Sequence, residues 1–112
     1  MLVKIGRKAL KIKECRTGIR GLMFNSMKDI DGALIKNISG QLKIWMPFVQ
    51  KPLDLFFLDK DFIVMKKQSA VPITLNPKTW KLYSCNASYC LEIKAGLVNA
   101  KEGDKVSIIR RN

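Results

Sequence analysis

The residue that most needs an explanation is Asp54, in the run Leu53-Asp54-Leu55-Phe56-Phe57. A carboxylate among apolar neighbours must find a partner or keep its proton. It is either an acid, base or ligand anchor, or a structural group held by Arg20 or by backbone N–H groups where a strand begins. We carry forward the structural reading, with Arg20 and Asp54 as a partly buried ion pair tying a short helix to a sheet. Trp45 follows a core-facing Ile44, and alternation sends it to the opposite face. There it either floors a ligand cleft with Trp80 and Tyr83, or covers the sheet beneath a proline-containing loop. Glu92 and Asp104 would need further ligands converging on them to hold a metal, and Asp104 follows Gly103 as turn residues do. Thr17-Gly18-Ile19-Arg20-Gly21 contains a G-x-x-G like the phosphate clamp of KH domains, but the helices such a fold needs do not surround it.

The residue inventory removes several chemistries. The chain has 112 residues and no histidine. Ser-His-Asp and Cys-His nucleophiles, HExxH zinc hydrolases and imidazole bases are therefore excluded. An enzyme would have to be built on Asp54, Glu92 or Cys15, and we rank that reading last. No Walker or dinucleotide glycine pattern is present. Neither a cofactor nor a metal is expected.

Charge offers a different class of function. Lys and Arg number 21 against 9 Asp and Glu, a net charge of +12. The excess sits at the two ends of the chain, while residues 29–61 are close to neutral. Such a field attracts polyanions at low salt, and Lys4, Arg7, Lys8, Lys11, Lys13, Arg16, Arg110 and Arg111 are the groups that would do so. The competing reading is a protein covered in solvated lysines. Specific nucleic-acid surfaces favour arginine and stacking aromatics. This chain has 5 Arg and 9 aromatics, most of the aromatics in apolar runs.

Lys4, Arg7 and Lys8 interrupt what would have to be the apolar segment of a secretory signal. No apolar stretch approaches the ~20 residues of a membrane span. The 3 cysteines form a poor disulfide framework, so a cytoplasmic protein with reduced thiols is expected.

These side chains must be positioned by strands. Leu2–Ile5 and Leu10–Lys13 alternate apolar with basic residues around a Gly6-Arg7 turn. Thr17 can cap a short helix over Gly18–Met23. Ala33–Ile38 and Gln41–Phe48 read as strands, with Pro47 placing the second at an edge. Leu53–Leu58 is apolar enough to be covered on both faces, and Asp59-Lys60-Asp61 leads into a strand over Phe62–Lys67. Residues 68–80 read as an irregular loop, the kind of segment where binding sites often lie. Tyr89–Lys94 and Val106–Ile109 complete the strands, with a short helix or turn over Ala95–Asn99. Eight or nine short strands and little helix predict one domain over 1–112, all-β, a sandwich or barrel.

Five short motifs occur in order: Arg20-Gly21-Leu22-Met23-Phe24, Trp45-Met46, Pro52-Leu53-Asp54 with Phe57 and Asp59, Leu91-Glu92-Ile93 with Ala95-Gly96, and Gly103-Asp104-Lys105-Val106. In this order the chain resembles the Domain of Unknown Function 192 family of small bacterial and archaeal proteins, from about Leu10 to Ile108. The resemblance implies a jelly-roll-like all-β fold and no established biochemical activity. Two stretches depart from the family pattern. Gly32-Ala33-Leu34-Ile35 stands where Gly-Met-Leu-Phe is usual, and Pro47-Phe48-Val49 where Lys-Asn-Thr is usual.

The expected function is therefore a small binding module using Trp45, Tyr83 and the 68–80 loop, for a small ligand or a protein partner. The alternative is polyanion binding through the basic ends. A monomer is expected, with no membrane partner.

Overall fold

Strict alternation produces strands covered on one face, and continuous apolar runs produce strands covered on both. The computed structural model describes residues 1–15, 29–37, 42–45, 52–71, 77–79 and 82–110. Among them are nine strands: β1 (Leu2–Ile5), β2 (Lys8–Cys15), β3 (Gly32–Lys36), β4 (Leu42–Trp45), β5 (Leu53–Leu58), β6 (Val64–Ala70), β7 (Leu82–Cys85), β8 (Tyr89–Lys94) and β9 (Val106–Arg110). The all-β expectation holds. Seven strands form one sheet in the order β6-β5-β8-β3-β2-β1-β9, and β4 pairs with β7 as a separate ribbon.

Every pairing is antiparallel except β2 with β3, where Ile12 stands beside Gly32 and Cys15 beside Ile35. Parallel neighbours need a crossover of a dozen residues or so. Residues 16–31 make that crossover, and the helix expected over Gly18–Met23 falls in it, outside the described residues.

The sheet curls until its two edge strands meet at one end. Val106 N–H donates to the Phe62 carbonyl at 2.9 Å, and Val64 N–H to the Asp104 carbonyl at 2.8 Å. Ile63 and Lys105 bridge between them. The result is a half-barrel. The hairpin that brings β6 to this closure is held by Asp59, whose Oδ1 accepts the N–H groups of Asp61 (2.8 Å) and Ile63 (3.0 Å). Phe62 takes a left-handed backbone there, φ 61°. Its ring stacks on Tyr89 with centroids 4.4 Å apart, which holds a conformation that side chains rarely adopt.

Inside the curl lie Val3, Leu10, Ile12, Leu34, Phe56, Leu91 and Ile93 with their neighbours. On the outer side Ala33, Ile35, Leu55, Phe57 and Cys90 pack with Tyr83 and Ala87. All six positions of β5 are consequently buried, as its apolar run predicts.

The strand expected at Ala33–Ile38 is Gly32–Lys36, that at Leu10–Lys13 is Lys8–Cys15 and that at Val106–Ile109 extends to Arg110, and three further differences are larger. The strand expected at Phe62–Lys67 is Val64–Ala70, because Phe62 belongs to the turn and the exposed Met65, Lys66 and Lys67 conceal an edge strand with no apolar period. The first part of the expected 68–80 loop is thus strand, and Pro77–Thr79 is a turn of 3-10 helix. Leu82–Cys85, a strand too short to register as a period, is β7.

Candidate binding site beneath the two-stranded ribbon

β8 lies between β5 and β3, so both its edges are hydrogen-bonded and both its faces covered. Along Tyr-Cys-Leu-Glu-Ile-Lys, Leu91 and Ile93 point into the curl. Cys90 and Glu92 therefore take the outer side. The register places Glu92 beside Ala33 of β3 and beside Leu55 of β5. Leu55 in turn faces Gln68 of β6. Ala33, Glu92, Leu55 and Gln68 thus form one row across four strands, on the side where the ribbon's Tyr83 packs.

Two acceptors in this row have no donor. Glu92 Oε1 and Gln68 Oε1 are both buried, and neither makes a hydrogen bond. Glu92 is only 3% exposed. Burial pushes its carboxyl up to about 7. Stripping water from a carboxylate without replacing its donors favours the neutral acid. Burial also pushes the Cys90 thiol up, helped by the negative charge of Glu92 and by Cys85. Cys85 and Cys90 are free thiols. With strands about 4.8 Å apart, the Glu92 and Gln68 backbones are about 10 Å apart across Leu55. The buried Leu55 side chain stands between them on the same face.

The ribbon is fastened over this row by its own connection to β8. Asn37 Nδ2 donates to the Ala87 carbonyl at 2.8 Å. Ser88 N–H donates to the Leu58 carbonyl at 2.9 Å. Tyr83 is buried, and its hydroxyl accepts the Val71 N–H at 3.2 Å, linking β7 to the end of β6. Tyr83 stands opposite Ile44, whereas Trp45 stands opposite Leu82. Trp45 and Tyr83 are therefore one register step apart on the ribbon, and Trp80 lies outside the described residues.

Asp54 has a partner of the structural kind. It is 5% exposed, and its Oδ2 accepts the Gly96 N–H at 3.0 Å. Gly96 has φ +78° in the turn after β8, so glycine is needed to present that N–H. The donor comes from this turn and not from the start of β5. Arg20, the other expected partner, lies outside the described residues. Asp54 and Glu92 do not converge: Asp54 stands beside Ile93 while Leu55 stands beside Glu92, so the two carboxylates take opposite faces of the sheet. Asp104 Oδ2 accepts the Lys101 N–H at 3.0 Å in a turn. Among the described residues no three Cys, Asp or Glu side chains cluster as metal ligands would.

The basic residues separate into groups. Lys4, Lys11 and Lys13 are exposed on the outer side of β1 and β2. Lys8 lies across from Ile5 and donates to the Leu97 carbonyl at 2.6 Å. Arg7 is exposed at the Gly6-Arg7 turn. Arg110 ends β9 opposite Leu2. Arg16 and Arg111 lie outside the described residues, as does the Cys15 side chain.

Gln68 went unnoticed in the sequence because it falls in a stretch read as loop. In the sequence Glu92 is weighed as a metal ligand and as an enzymatic carboxylate, not as a buried group lacking a partner, although Leu91-Glu92-Ile93 carries the same signal that singled out Asp54. No helix among the described residues is long and apolar enough to cross a membrane.

Two solved structures share the fold. A protein of unknown function from Novosphingobium aromaticivorans is 25% identical with a TM-score of 0.78, covering 96% of this chain and 84% of that one. A protein from Sinorhizobium meliloti, provisionally named a transcription regulator, is 23% identical with a TM-score of 0.77, covering 95% of this chain and 91% of that one. A comparison with curated proteins gives no match. The model of the Domain of Unknown Function 192 family (DUF192, Uncharacterized ACR) matches residues 8–108. With the motif order, the curled sheet and that match in agreement, the chain belongs to the Domain of Unknown Function 192 family.

Proposed function

We propose that this protein is a single-domain, cytoplasmic, monomeric binding module that takes a small, largely apolar molecule carrying N–H or O–H donors. Its site is the row Glu92–Leu55–Gln68 beneath the ribbon. The observation that carries this reading is the pair of buried oxygens without donors, Glu92 Oε1 and Gln68 Oε1, on one face. Buried polar groups are nearly always hydrogen-bonded, and each exception calls for an explanation. A ligand that supplied both donors would recover a cost of about 1–3 kcal/mol for each. A carboxyl near 7 suits this role, because at neutral pH it can meet a cationic N–H donor as the anion or a neutral ligand as the acid.

The test is a thermal-shift and 15N NMR titration with benzamidine, benzamide, indole and adenine. At least one should bind saturably and indifferently to salt, with shifts centred on β5, β6 and β8. Glu92→Gln should weaken benzamidine at least tenfold, and Gln68→Leu should weaken any ligand that reaches both groups. Absence of binding at millimolar concentration, or binding untouched by both substitutions, overturns the reading.

A further inference from the structure

The other half of the outer face is open. Its positions are Leu2 and Lys4 on β1, Ala9, Lys11 and Lys13 on β2, and Ser107 and Ile109 on β9, with Arg110 at the register position opposite Leu2. The alternate positions Val3, Ile5, Leu10, Ile12 and Val106 are buried in the curl. Lys4, Lys11 and Lys13 are all exposed. None of the three ammonium groups forms an ion pair among the described residues. No outward position of these strands is acidic. Glu14 takes the alternate side of β2, in line with Leu34 of the inner core. Asp29 borders a cleft of about 430 Å³ shared with Lys11 and Lys13. The Asp31 carboxylate is engaged by the Lys11 N–H at 2.9 Å. These two acids mark where the basic surface ends.

We propose that this face docks nucleic acid through its phosphates, without reading base sequence. Lys11 and Lys13 are two residues apart on a strand, about 6.7 Å, a separation like that of successive phosphates along one nucleic-acid strand. Lys4 lies one strand further on, between the small residues Ala9 and Ser107, which leave the sheet flat on both sides of it. Lysine ammonium groups act as point charges toward phosphate. Among the described outward positions the one arginine is Arg110, opposite Leu2 at the end of β9, and there is no aromatic ring, so the groups that read or stack bases are scarce. A membrane fits less well. Its binding needs a continuous apolar strip to insert, and here Leu2 is half-buried and Ile109 lies in a separate row. The long-range attraction comes from the net charge of +12.

Two triple variants separate a local surface from bulk charge. K4E/K11E/K13E changes the face, and K36E/K66E/K101E changes exposed lysines elsewhere; each lowers the net charge from +12 to +6. Binding to fluorescent 20-nucleotide DNA and RNA of two unrelated sequences is read by anisotropy between 50 and 200 mM salt. The wild type should bind both sequences alike, with a log–log salt slope of about −2 to −3 for three phosphate contacts. K4E/K11E/K13E should lose at least tenfold at the lowest salt and flatten the slope. K36E/K66E/K101E should stay within about threefold of wild type. Circular dichroism and melting confirm that both variants fold; if the first does not, K4Q/K11Q/K13Q replaces it, with the same loss expected. Equal loss in the two variants, no binding at the lowest salt, strong preference for one sequence, or binding confined to phosphatidylserine vesicles overturns the proposal.

Discussion

The outer side of this half-barrel has two halves built on opposite rules. Over β3, β8, β5 and the end of β6 the ribbon's Tyr83 packs on it, and its apolar side chains are buried. Over β2, β1 and β9 it faces water and carries lysine. The inner side holds the main apolar core, with the buried Asp54 on the same face. The difference teaches that in a curled sheet the function-bearing groups follow from what covers the second face. A covered half can hold a polar group only at a desolvation cost, so one that persists there calls for a partner. An open half holds charge at almost no cost, and its groups matter only as a pattern.

Substitutions can test that contrast, and the largest effect belongs to the junction of the halves. Gly32 begins β3, between β2 and β8, and a Cβ there would overlap the Glu92 backbone carbonyl oxygen. Backbone cannot yield as a side chain does. Gly32→Ala should cost ~3 kcal/mol or more, seen as a fall in urea midpoint or failure to fold. On the covered half, Leu55→Ala should cost about 2–5 kcal/mol. Leu2→Ala, half-buried on the open half, should cost less than ~1 kcal/mol by the same measurement.

Glu92 makes the covered half sensitive to pH. Its folded-state carboxyl titrates at about 7 against an ordinary 4.5. Below both values the carboxyl is protonated in the folded and unfolded chains alike. As pH rises from 4.5 to 7 the unfolded chain releases the proton first, so stability declines across that window and levels off above it. The decline should total ~3 kcal/mol, and Glu92→Gln should abolish it and leave the protein more stable than wild type at pH 8. Urea midpoints at pH 5 and 8 measure both; a flat wild-type profile would remove the buried, donorless carboxylate from the account.

Two smaller effects complete the contrast. Asp54→Ala removes the acceptor for the Gly96 N–H and should cost about 1–3 kcal/mol, with hydrogen exchange rising first in the 95–97 turn. Single substitutions of Lys4, Lys11 or Lys13 by alanine should change stability by less than ~0.5 kcal/mol. A larger loss at any of the three would mean that the open half is structurally committed.

Legibility in the sequence followed the same division. The alternation of Leu2–Ile5 and Leu10–Lys13 announces one wet and one dry face, and Leu53–Leu58 announces two dry ones, because each pattern is local to one strand. Asp54 was visible as a carboxylate needing a partner, expected from Arg20 or from backbone N–H groups where a strand begins, whereas the donor described is in a turn 42 residues away. Gln68 was hidden because β6 is an edge strand whose exposed lysines break any apolar period. The row joining Glu92 to Gln68 was hidden because register between strands distant in sequence leaves no trace in either one.

The residues in their order determined the class of fold, the buried strands, the excess of positive charge and the chemistries that a chain without histidine cannot perform. These depend on side-chain type and on a two-residue period, which any single segment displays. The folded arrangement determined which strands lie side by side, where the curl closes, which half of the outer side the ribbon covers, and which polar groups lose their water. Those outcomes come from pairings between segments far apart in the chain, where hydrogen-bond register and the exclusion of solvent act on several strands together.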